Sequence, residues 1–101
     1  MIVSREIRLY TFMFLELLKD HEEKNKAINE LGVLVDRLSR DTKLMSFLSS
    51  SDVTDDEKSN YIEKKFSNIY TFKEVIHFLK LLVSNNRHKD IKEIYQLLKT
   101  N

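Results

Sequence analysis

Three histidines, one acidic run and one basic run are the groups in this chain whose types and spacing could do chemistry. His21, His77 and His88 fall in three separate segments. With Cys 0 and no His-x-x-x-His pair, they lack the spacing of a zinc site. Asp55-Asp56-Glu57 carries enough charge for a cation, but it follows Thr54 at the start of a helical pattern. Acids in a helix's first turn oppose its dipole, and that role accounts for all three. His21 closes the first helical pattern, where a cation suits the negative end of the dipole. His77 belongs to a polar helical stripe. Arg87, His88 and Lys89, with Lys64 and Lys65, form a basic group, yet Asp90, Glu93 and Glu63 lie close by in sequence. That mixture reads as a solvated surface. A single glycine cannot build a phosphate loop. The residues describe a non-catalytic chain with no cofactor and no metal site.

The elements that must position these groups are helices. Pro is 0 and Gly is 1, whereas strand-rich folds need Gly, Pro and Asn-Gly turns at short intervals. The 101 residues suffice for one domain with one core. Hydrophobic residues at 42% and charged residues at 33% fit a globular chain and oppose disorder. A formal net charge of +1 supplies no strong field toward nucleic acid or anionic lipid. No apolar run reaches the roughly 18 residues of a membrane span. Arg5, Glu6 and Arg8 within MIVSREIRLYTF also argue against a signal peptide.

Periodicity and caps divide the chain into six helices. Ser4 caps a first helix over Arg5 to Asp20, with Ile7, Tyr10, Phe14, Leu17 and Leu18 on one broad face. Phe12 falls inside its polar stripe and has no assigned role. A second helix carries Ala27, Ile28, Leu31, Leu34, Val35 and Leu38, with Gly32 tolerated at about 1 kcal/mol relative to Ala. Asp41 caps a short third helix, and SSSD at 49–52 is a loop. Thr54 and Glu57 form a capping box for the fourth helix, and Thr71 and Glu74 form a second box for the fifth. Asn85 and Asn86 stop the fifth helix in left-handed geometry. A sixth carries Ile91, Ile94, Tyr95, Leu97 and Leu98. Short connections between them predict an all-α, six-helix antiparallel bundle.

The fifth helix is apolar on more sides than one core face requires. Lys73, His77, Lys80 and Ser84 make a narrow polar stripe, opposed by Val75, Leu79 and Leu82. Phe78 and Leu81 are additional. Leu81 projects within about 40° of His77 on the helical wheel. Such a residue is either covered by a neighbouring helix or offered to a partner.

The order of these features resembles the N-terminal domain of the F-type ATP synthase delta subunit. Its mitochondrial counterpart is the oligomycin-sensitivity-conferring protein. Leu79, Leu82, Asn85 and Arg87 match the family's L-x-x-L-x-x-N-x-R stop. Phe47, Leu48 and Ser49 match its short element before a polar loop. Residues 31–58 resemble the second and third helices and the start of the fourth. The chain departs from the family at Thr11 and Met13, where small residues are usual, and at Asn86, where Gly is usual.

The resemblance implies a stator role in which a groove between the first and fifth helices receives the N-terminal helix of an alpha subunit. Tyr10, Phe14, Phe78, Leu81 and Asn85 are the implied lining. It further implies that residues 1–101 are an N-terminal fragment whose C-terminal domain, binding the peripheral-stalk b subunits, lies beyond Asn101. The implied location is peripheral, on the cytoplasmic face of a bacterial inner membrane, without insertion and without nucleic acid. A reading of a different class is a helical RNA-binding module of transcription-antitermination type. That reading calls for an Arg-rich face and a net charge well above +1.

Overall fold

A computed structural model describes residues 3–100. Its helices are α1 (Arg5–Leu17), α2 (Lys24–Ser39), α3 (Thr42–Ser49), α4 (Asp55–Phe66), α5 (Lys73–Ser84) and α6 (Ile91–Lys99). A single 3-10 turn, His88–Asp90, precedes α6, and no strand occurs among the described residues. The all-α six-helix bundle is therefore the observed architecture. The first helix ends at Leu17, three residues before the expected Asp20, and the chain turns through Leu18 to reach His21.

Three helix starts follow from side chains three residues away. Ser4 accepts the N–H of Ile7 and Asp41 that of Leu44. Thr54 and Glu57 close the expected capping box, with Thr54 accepting from the Glu57 N–H and Glu57 accepting from the Thr54 N–H. These bonds satisfy amides that a helix leaves without partners. The Thr54 backbone contact also holds the Glu57 carboxyl below the usual carboxylate range.

The second expected box does not form. The N-cap of α5 is Phe72, which makes no side-chain cap bond. Glu30 of α2 replaces it, accepting the N–H of Thr71 at 3.0 Å and of Phe72 at 2.9 Å. A carboxylate on a different helix thus fixes where α5 begins. At the other end, the N–H of Arg87 reaches the Leu82 carbonyl and that of Asn86 the Val83 carbonyl. This is the Schellman pattern. Asn86 takes the left-handed position with φ of 56°, while Asn85 stays outside it at −101°.

The core runs through all six helices. Phe14, Phe66, Phe78, Leu31, Leu34, Leu79, Leu82 and Ile94 have no exposed surface. α1 packs on α6 and α5, α2 on α6, α5 and α3, and α4 on α5. α5 is the most enclosed: Val75, Ile76, Phe78, Leu79, Leu82 and Val83 are all buried. Gly32 of α2 lies under the ring of Tyr95, where an added Cβ would meet Tyr95 Cζ and Oη at 2.5 Å. The glycine is thus a close-approach point between α2 and α6, more than a tolerated helix defect. No described helix is long and apolar enough to cross a membrane.

Candidate functional site

The seam between α1 and α5 is built on two aromatic rings. Phe14 and Phe78 meet with centroids 4.7 Å apart and a 44° tilt. Both are fully buried, so of the expected groove residues these two contribute packing and no exposed surface. Phe78 is additional to one core face because α5 packs against neighbours on several sides. The rings form a closed floor and present no surface to a partner.

The other expected residues lie nearer the surface. Tyr10 is one turn before Phe14, and Leu81 is about one turn after Phe78. Both are half-buried and pack against the core edge. Toward the other end of the seam, Leu17, Asp20, His21 and Glu74 border a concavity of about 270 Å³. Leu81 also borders a concavity of about 360 Å³ with Asp55, Asp56, Ser59 and Ile62, so part of its surface faces α4. Asn85 is exposed, and its Nδ2 donates to the Leu81 carbonyl at 2.9 Å. Part of its amide therefore caps its own helix, leaving the oxygen free to accept.

Sequence reasoning overlooked the apolar surface of α1 beside this seam. Leu9 is 53% exposed, Phe12 59% and Leu17 45%. Met13 is half-buried between them on the helical wheel. These residues give α1 an apolar stripe on its outer side. Phe12 carried this signal in the sequence, as an aromatic residue in a polar stripe, but Leu9 gave no comparable sign.

None of the groups first considered for chemistry assembles into a reactive centre. No group of three metal-ligating side chains occurs among the described residues. His21 accepts the Glu23 N–H at its Nδ1 and sets its ring edge-on against Phe72 at 5.3 Å. His77 is exposed. The basic group is dispersed: Arg87 pairs with Asp90, and Lys65 lies over the Tyr61 ring at 5.9 Å. Lys80 pairs with Glu63 and holds that carboxyl below its usual range.

His88 departs most from the expected solvated surface. The 3-10 turn folds it inward, where it is fully buried and shares a 2.8 Å hydrogen bond with Ser49 Oγ. Its Nδ1 has no protein partner. Burial, and then the positive charges of Lys89 and Lys58, push its pKa down and favour the neutral ring.

The arrangement is apolar, helical and suited to receiving side chains. The family model for the ATP synthase delta (OSCP) subunit matches residues 8–100. The chain belongs to that family. No curated protein and no solved structure matches it at a significant level. Membership of the delta (OSCP) family makes the chain a non-catalytic ATP synthase stator subunit, part of a complex peripherally associated with a membrane.

Proposed function

We propose that this delta-type domain ties the catalytic head of ATP synthase to the peripheral stalk by holding the N-terminal helix of an alpha subunit along the α1–α5 seam. The observation that carries this reading is the Phe14–Phe78 contact joining α1 to α5, with Tyr10 on α1 and Leu81 on α5 each half-buried about one turn away. A rigid floor with partly exposed apolar edges is what an amphipathic helix needs, because little has to be ordered on binding. Tyr10, Leu81 and Leu17 supply apolar anchors, and Glu74 and Asn85 supply polar contacts at the rim. The exposed Leu9 and Phe12 widen the apolar surface on the α1 side. The role is mechanical: resisting rotation of the head so that torque does work. Connection to stalk b subunits through a following C-terminal domain, at a bacterial inner membrane, belongs to the same proposal.

The RNA-binding alternative gains no support from the dispersed basic group or the buried His88. Co-sedimentation of the chain with purified catalytic heads, across a salt series, tests the choice. Retention that changes little with salt is expected for an apolar groove. Capture by RNA with steep salt dependence, and none by heads, would overturn the proposal.

A further inference from the structure

A concavity of about 590 Å³ lies where α2, α3 and the start of α6 meet. It shares no lining residue with the α1–α5 seam, and its walls differ in chemistry. Val35, Leu38 and Ile91 are buried and Met45 is half-buried, giving an apolar floor. Thr42, Ser46 and Ser49 occupy one face of α3, at spacings of four and three, and place hydroxyls along one wall. Lys89 and Lys92 stand on the opposite wall. Both are exposed and neither forms an ion pair among the described residues. No carboxylate lines the cavity. Asp90, next to Lys89 in sequence, is engaged by Arg87.

We propose that this concavity binds a monomeric alkyl carboxylate. The alkyl chain lies on Val35, Leu38, Met45 and Ile91, and the carboxylate accepts from Lys89, Lys92 and the hydroxyls of Thr42 and Ser46, Ser49 being engaged by His88. Its size falls within the roughly 300–1,000 Å³ typical of small-ligand sites. The charge selects the head group: two free ammonium groups and a row of hydroxyls are donors with no acid opposing them. A cationic amphiphile would be repelled, and a neutral one would forgo the charge-assisted hydrogen bonds that the two lysines offer.

Three probes with one chain length separate these possibilities: decanoate, decanol and decyltrimethylammonium, each below its micelle concentration. Amide NMR of the 101-residue chain is followed during each titration. Saturable decanoate shifts are expected at Val35, Ser46 and Ile91, with decanol at least about tenfold weaker and the cation silent. Lys89→Glu with Lys92→Glu changes only exposed side chains and should weaken decanoate by about tenfold or more. Ser46→Trp, also at an exposed position, should fill the space and abolish the shifts while the melting temperature holds. Equal response to all three probes would overturn the proposal. So would shifts confined to other surfaces, or decanoate binding unchanged in both variants.

Discussion

The rings of Phe14 and Phe78 meet at 4.7 Å with neither residue exposed, and this contact joins α1 to α5 beneath the proposed binding surface. Phe78→Ala removes the ring from a fully packed site. A loss of about 3–5 kcal/mol in unfolding free energy is expected, as for other buried Phe truncations. Chemical denaturation checks it. A loss below about 1 kcal/mol would mean that the ring pair does not secure the two helices.

Gly32 and Tyr95 form a second dependency, between α2 and α6. Alanine is a better helix former than glycine by about 1 kcal/mol, so Gly32→Ala ought to stabilise α2 by itself. In the native chain the new methyl displaces the Tyr95 ring, and the gain is offset. In a Tyr95→Ala background the gain should appear in full. A double-mutant cycle is expected to give a coupling of about 1 kcal/mol or more. The same gain in both backgrounds would show that the ring moves aside freely.

How much of this was legible depended on range. The caps at Ser4, Asp41 and Thr54 act over three residues, and sequence reasoning located each of them. The helical stop at Asn86 was equally local. Thr71 failed as a cap because Glu30, on another helix, takes the amides of Thr71 and Phe72. Gly32 looked like a defect because its reason is the Tyr95 ring on α6. Periodicity identified Phe78 and Leu81 as additional apolar residues but could not say which one a neighbour covers. The contact with Phe14 buries the first and leaves the second at the edge.

His88 predicts a pH dependence. The folded chain favours its neutral ring, because burial and the nearby Lys89 and Lys58 depress its pKa below the usual 6.5. As pH falls, the unfolded chain takes the proton first, so acid favours unfolding. Stability present above about 6.5 is lost as pH drops through that value toward the lower folded pKa. One proton limits the slope to about 1.4 kcal/mol per pH unit. His88→Leu should flatten the stability profile as pH falls below about 6.5. Glu57 and Glu63, depressed from 4.5, act below that window. An unchanged slope in the variant would contradict the assignment.

The central claim is that Leu81 anchors a partner helix at the edge of the α1–α5 seam, and calorimetric titration with an alpha-subunit N-terminal helix tests it most directly. Leu81→Glu should weaken binding by about 2 kcal/mol or more, roughly thirtyfold in Kd. A half-buried position lets the new carboxylate stay hydrated in the free domain, so the thermal melt should change little. Undiminished binding by the variant would remove Leu81 from the interface. Collapse of the fold would instead make it a core residue and leave the seam without its anchor.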